Sequence, residues 1–179
     1  MKAWSWCAKT LYAFTPSNLE SGLYGNIIDM NTPKSVIDYE PYVMAITEQV
    51  EQHLCGLDEL STIFKQRPLS FNERSATERS LQVIVEAAIG CSKHLLKSKG
   101  KPVPSEARAN IERTYELLGI TNPPIRVMRG AIGMRNAIIH DYLNLDWEVI
   151  EDVLKEQKYY QIHQYIQHIL HILMSGGRS

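Results

Sequence analysis

From Ile46 to Leu173 the apolar residues recur at steps of three and four, and nowhere do they alternate for long. That spacing constrains the fold more than any other feature. A 3.6-residue period places such residues on one face of a helix, whereas a half-buried strand demands strict alternation. The first stripe is Ile46, Val50, Leu54, Leu57, Leu60 and Phe64. Upstream, Thr32-Pro33 reads as a cap followed by proline at the first helical position, so this helix is expected from about Thr32. Pro41 is expected to kink or restart it, and the stretch from Gln66 to Ser70 to end it.

A second helix is expected from about Asn72 to Ser98, stopped by Gly100 and Pro102. Its buried face is Leu81, Ile84, Val85, Ala88, Cys91, Ser92 and Leu95. Arg79, Gln82 and Glu86 form a separate polar line, either the wet side of the helix or a row facing another polar group. A shorter helix from about Glu106 to Leu118 is closed by Gly119. Thr121-Asn-Pro-Pro124 opens a fourth, carrying Ile125, Met128, Ile132 and Ile139. A last long helix is expected from near Asp146 to Gly176-Gly177, with the stripe Val149, Ile150, Val153, Tyr160, Ile166, Ile169 and Leu173. The fold class is therefore all-α: an antiparallel four-helix bundle with an additional short helix.

The domain expected from this pattern spans residues 32–176, with a short tail at 177–179. Residues 1–31 lack a helical period and read as an N-terminal extension, or as the product of an upstream start with Met30 as the alternative. MKAWSWCAKTLYAF faintly resembles a signal peptide, but Lys9 breaks its apolar run and no small-residue cleavage site follows.

Composition narrows the function. The 179 residues carry a formal net charge of -1, so nucleic acid, if bound, must meet a local patch. Cys7, Cys55 and Cys91 form no CxxC pair, which points to neither a zinc site nor a disulfide framework and suits a reducing cytoplasm. No apolar run approaches the roughly 18–20 residues of a membrane span. His163, His168 and His171 are spaced by five and three, unlike the i, i+4 pair of helical metal sites, and read as solvated or packing groups. Cys91 and His94 read as core filling. Lys93, Lys97, Lys99 and Lys101 complement a helix C-terminus, with an RNA or partner patch left open.

One stretch concentrates reactive groups: MRNAIIHDYL, residues 134–143, which holds Arg135, Asn136, His140, Asp141 and Tyr142. Arginine presents a planar fork to phosphate oxygens, and histidine moves protons near neutral pH. RNA brings its own nucleophile, the 2′-hydroxyl, so an arginine and a histidine suffice to activate it and to stabilise the crowded phosphate. On an unbroken helix, however, Arg135 and His140 point about 140° apart. They converge only if the helix loosens near Asp141, or if two copies of the stretch face each other across a two-fold axis. An Arg-x4-His pair alone arises by chance in roughly 0.3 of such chains. The fuller string, on the penultimate helix of an all-α chain, is far more specific.

RNAIIHDY resembles the Arg-x4-His-x-Tyr signature of the HEPN superfamily, specifically its HepT-like branch, and ERSLQVIVEAAIGCSKHLL resembles that family's second helix. The similarity runs from roughly Pro33 to Ser175 and leaves the first 30 or so residues without a counterpart. The resemblance implies a homodimeric bundle acting as a metal-independent endoribonuclease toxin on RNA, with an MntA-like minimal nucleotidyltransferase as antitoxin. That partner would transfer AMP from ATP onto the motif tyrosine. ATP and Mg2+ would belong to the partner, leaving this chain with no cofactor of its own. By residue, Arg135 and His140 would be catalytic, and Asn136 would orient the phosphate or the histidine. Asp141 would end the helix or hold the histidine tautomer, Glu86 would give looser support, and Tyr142 would accept AMP. Tyr142 eclipses Arg135 seven residues away on a helix, so a bulky anionic adduct there would occupy the phosphate site. The alternative the family offers is a non-catalytic substrate-binding subunit of a minimal nucleotidyltransferase.

Overall fold

The structure, a computed structural model, describes residues 38–141 and 145–176. The expected 1–31 extension, the Thr32-Pro33 cap, Tyr142 and the 177–179 tail lie outside the described residues. Six helices and no strand occur among those described: α1 (Glu40–Phe64), α2 (Phe71–Ser98), α3 (Ala107–Leu118), α4 (Ile125–His140), α5 (Trp147–Lys155) and α6 (Tyr159–Gly176). The expectation of an all-α fold holds. No described helix is long and apolar enough to cross a membrane.

In α1, Pro41 stands in the first turn and starts the described helix rather than kinking it, because a proline there removes no hydrogen bond the helix needs. The α1 stripe packs as its spacing demands, with Val50, Leu54, Leu57 and Leu60 buried. Helix α2 opens on a reciprocal cap. The Ser70 hydroxyl accepts from the Glu73 amide at 3.4 Å, and a Glu73 carboxylate oxygen accepts from the Ser70 amide at 2.7 Å. Arg67 closes on the same carboxylate through two hydrogen bonds of 2.8 and 2.7 Å.

Helix α2 is the centre of the molecule and packs against α1, α3, α4 and α6. All seven residues expected on its inner face are buried, and Thr77, Val83, Ala87, Ile89 and Leu96 join them. Its polar residues inside are satisfied: the Ser92 hydroxyl reaches the Ala88 carbonyl at 2.8 Å and the Tyr165 hydroxyl at 2.7 Å. Side-chain pairs fix the direction of its neighbours. Tyr42 meets Cys91 and His53 meets Ser80, so α1 runs antiparallel to α2. Glu86 meets Arg135 and Arg74 lies against Trp147, so the chain from α4 into α5 also runs against α2. Helix α3 ends at Gly119, whose φ of 63° is the left-handed conformation that favours glycine.

The single last helix expected from sequence is two. Helix α5 stops at Lys155, and the backbone turns at Gln157, whose φ is +50°. The Lys158 amide then reaches back to the Val153 carbonyl at 2.9 Å. The break resets the helical phase. Leu154 and Tyr159 are buried, while Val149 and Tyr160, both expected inside, are 51% and 43% exposed. What the turn achieves is a shared anchor: Tyr159 and Tyr160 donate to the two carboxylate oxygens of Asp58 on α1, at 2.6 and 2.5 Å. Downstream, Ile162, Tyr165, Ile166, Ile169, Leu170 and Leu173 restore a regular inner face.

Candidate active site

Helix α4 carries two opposed faces. Met128, Ala131 and Ile132 are buried against the bundle. Arg126, Arg129, Gly130, Gly133, Asn136 and His140 are exposed, and within about 120° of one another around the axis. A Cβ added at Gly130 or Gly133 would meet nothing within 4 Å. His140 therefore stands at the wet end of an open helix face, on the last helical residue. The backbone leaves the helix at Asp141, with φ -130° and ψ 40°, and the Asp141 amide still donates to the Ala137 carbonyl at 3.0 Å. The Asp141 side chain is exposed.

Arg135 points the other way, toward α2. Its Nε donates to Glu86 Oε1 at 2.6 Å, and its Nη2 donates to the same oxygen. Its Nη1 donates to the side-chain oxygen of Asn136 at 2.8 Å. The guanidinium has five N–H donors, so two remain for a phosphate. The Arg135 side chain is 22% exposed and that of Glu86 is 41% exposed, so the pair lies at the rim of the bundle, partly shielded from water. Asn136, expected to orient a phosphate or the histidine, here orients the arginine.

The structure thus brings Glu86, Arg135 and Asn136 together, and leaves His140 on a different side of α4. Arg135 and His140 belong to one motif but do not share a face within one chain. The polar line on α2 is not merely wet: Glu86 meets the motif, while Arg79 donates to Gln82 Oε1 at 3.3 Å one turn earlier. His53 of α1 borders the same line, its Nδ1 3.1 Å from the Ser80 hydroxyl. Burial, and then the Arg79 charge, hold the His53 imidazole below its ordinary pKa.

The chain that follows the motif is fastened by a contact the sequence reading missed. The Arg74 guanidinium lies 4.9 Å from the Trp147 ring centroid, a cation–π contact that brings the start of α5 back onto the start of α2. Arg74 and Trp147 are 73 positions apart, and no local pattern links them. The other polar groups singled out from sequence divide plainly. His94 packs against Tyr42 at 4.1 Å between ring centroids, and Cys91 takes a hydrogen bond from Tyr42 at 3.5 Å, as core filling does. Burial pushes the Cys91 thiol up to about 11. His163 pairs with Gln167 at 3.0 Å, and His168 and His171 are exposed. Lys93, Lys97, Lys99 and Lys101 are all exposed.

The family profile described as Ribonuclease HepT-like matches residues 46–169, from the first apolar stripe to the middle of α6. A crystal structure of a toxin–antitoxin with AMP-PNP superposes with a TM-score of 0.61 at 19% identity, covering 71% of this chain and 96% of that one. A rebuilt and re-refined structure of a tri-AMPylated Shewanella oneidensis HEPN toxin in complex with MNT antitoxin superposes with a TM-score of 0.60 at 20% identity, covering 70% of this chain and 93% of that one. No curated protein matches at a significant level. The superpositions show a shared helical-bundle fold. The chain belongs to the HepT-like ribonuclease family.

Proposed function

We propose that this protein is the endoribonuclease toxin of a HEPN/MNT toxin–antitoxin pair, working as a homodimer of the 32–176 domain in the cytoplasm and without a bound metal. The observation that carries this reading is the division of labour on α4. Arg135 is held toward α2 by Glu86 and Asn136, while His140 faces outward from the helix end. A cleft that needs both must combine Arg135 of one chain with His140 of the partner subunit. The open face around Gly130 and Gly133 leaves room for a second subunit to approach α4.

In such a cleft the RNA supplies the nucleophile. Its 2′-oxygen forms a bond to the adjacent phosphorus as its proton passes to an imidazole. The bond from phosphorus to the 5′-oxygen breaks, and that oxygen takes a proton as it leaves. The products are a 2′,3′-cyclic phosphate and a 5′-hydroxyl. The two-fold axis forms two such sites, each pairing Arg135 of one chain with His140 of the partner subunit, whose imidazole takes the proton from the 2′-oxygen while water protonates the leaving 5′-oxygen. Arg135 stabilises the charge that builds on the phosphate oxygens, using the donors that Glu86 and Asn136 leave free. Asp141 ends the helix just after His140 and fixes where the imidazole projects.

Regulation follows from the same motif. The neighbour from Shewanella oneidensis is a tri-AMPylated toxin held by an MNT antitoxin. We assign Tyr142 as the acceptor of AMP here, with ATP and Mg2+ brought by the nucleotidyltransferase and no cofactor belonging to this chain. The adduct adds phosphate charge next to the motif and competes with RNA for Arg135.

The test is cleavage of a defined RNA by purified protein in the presence of chelator. Wild type yields 2′,3′-cyclic phosphate ends, and Arg135→Ala and His140→Ala yield none. Full activity in both variants would overturn the mechanism. A stable complex with the nucleotidyltransferase but no cleavage would mark a substrate-binding subunit instead. Intact mass after co-expression with the nucleotidyltransferase reads the modification: AMP increments that vanish in Tyr142→Phe support the assignment.

A further inference from the structure

The exposed side of α2 is one stripe along its length. Arg79, Gln82, Glu86, Gly90, Lys93 and Lys97 follow one another at steps of three and four, within about 40° of a single line around the axis. Arg79, Lys93 and Lys97 are exposed, and none of them makes an ion pair among the described residues. The charge of Glu86 is met by Arg135. No carboxylate occurs in the sequence between Glu86 and Glu106, a span holding four lysines. The acids are gathered elsewhere: α1 has five, Glu40, Glu48, Glu51, Asp58 and Glu59, with no lysine or arginine. Where α1 borders the α2 stripe it does so with uncharged contacts, Tyr42 beside Gly90 and His53 on Ser80. A chain of net charge -1 thus keeps unpaired cations on both sides of the neutral Glu86–Arg135 pair along one stripe. A helix C-terminus accounts for cations in its last turn only, and Arg79 and Lys93 lie outside that turn.

We propose that α2 is the rail for the RNA strand: Arg79 on one side of the Glu86–Arg135 pair, and Lys93 and Lys97 on the other, hold backbone phosphates flanking the one that is cut. This rests on the ribonuclease reading and adds to it the course of the substrate. Arg79 and Lys97 are eighteen positions apart, about 27 Å of helix at 1.5 Å per residue, the reach of a strand of several nucleotides. The three side chains position substrate and touch no reacting atom. Their chemistry is backbone charge neutralisation, so they add affinity without base preference.

The experiment compares cleavage of a 12-nucleotide RNA with cleavage of the dinucleotide UpA, for wild type, for Lys93→Gln/Lys97→Gln and for Lys65→Gln, an exposed lysine at the end of α1. On the 12-mer, the double variant raises KM about tenfold with kcat within about twofold. Its plot of log affinity against log salt flattens by about 1.4, since each lost single-strand phosphate contact removes about 0.7. On UpA, too short to reach the lysines, the change shrinks below about twofold, and Lys65→Gln changes neither substrate. Arg79→Gln raises KM on a strand extended to the opposite side of the cut. An unchanged KM and salt slope on the 12-mer overturn the rail. So does a double variant that keeps RNA cleavage and loses the nucleotidyltransferase complex, which would make the stripe a protein-docking face. If wild type cleaves neither RNA, the ribonuclease reading fails separately. Fluorescence anisotropy of the labelled 12-mer then decides the rail, which stands if the double variant binds about tenfold more weakly and falls if it binds equally.

Discussion

Glu86 Oε1 accepts from Arg135 Nε at 2.6 Å, which ties the motif arginine of α4 to the exposed stripe of α2. The pair is too exposed to matter greatly for stability, where such bridges contribute about 0–1 kcal/mol. Its consequence is aim. The guanidinium sits on a side chain with several rotatable bonds, and without an anchor it samples orientations in which no donor faces a phosphate. Glu86→Gln keeps an acceptor and should retain most RNA cleavage. Glu86→Ala removes it and should lower kcat/KM about tenfold, with Tm changed by less than about 3 °C. Steady-state kinetics and a thermal melt on the same samples check this. Equal activity in Ala and wild type would show that Arg135 needs no anchor.

Arg135 and His140 face different sides of α4, and the proposed site draws them from two chains. Subunit mixing reads this directly. Arg135→Ala and His140→Ala homodimers are each inactive. In a heterodimer one site takes Arg135 from the His140→Ala chain and His140 from the Arg135→Ala chain, and is intact. Random mixing makes half the dimers mixed, each with one of two sites, so activity should return to about a quarter of wild type. No recovery after mixed refolding or co-expression would place both groups in the same chain's site.

How much of this was legible beforehand varies with the range of the interaction. Helix class and the inner face of α2 follow from a local period, and Leu81, Ile84 and Leu95 could hardly lie elsewhere. The break before Tyr159 was not legible. It is stabilised by Asp58, about a hundred positions away, and the sequence through Glu156-Gln157-Lys158 holds no glycine or proline to mark it. The divergence of Arg135 from His140 came from helix geometry alone. The role of Glu86 did not, because a polar line on a helix looks the same whether it faces water or a distant arginine. The Ser70–Glu73 cap is legible as S-x-x-E, since both partners lie within one turn.

That cap gives a pH signature. Hydrogen bonds from Arg67, then from the Ser70 amide and hydroxyl, lower the Glu73 carboxyl from its ordinary 4.5 to about 2. A carboxyl held lower in the folded than in the unfolded chain stabilises the fold above the unfolded pKa. The effect is lost as pH falls through the folded one. Glu73→Gln should therefore melt below wild type at pH 7, and the gap should narrow between pH 4.5 and 2. Thermal melts across that window, with Glu59→Gln as a control from α1, measure it. A gap independent of pH would mean the cap acts without its charge.

Asp58 anchors α6 with two phenols, and their environments separate its effects. Tyr159 is fully buried, and burial followed by the bond to Asp58 raises its hydroxyl above the usual phenol range. Tyr160 is 43% exposed and has water as an alternative partner. Asp58→Ala leaves the Tyr159 hydroxyl buried without its acceptor, a loss of about 2 kcal/mol. Tyr160→Phe removes one exposed bond and should cost less than about 1 kcal/mol. Tyr159→Phe removes the donor along with the need for it, so Asp58→Ala placed in that background should cost less than it does alone. Urea unfolding of wild type, Asp58→Ala, Tyr159→Phe and the double variant closes this cycle, with Tyr160→Phe measured beside it. Additive losses would show that the two side chains stabilise the α5–α6 turn independently.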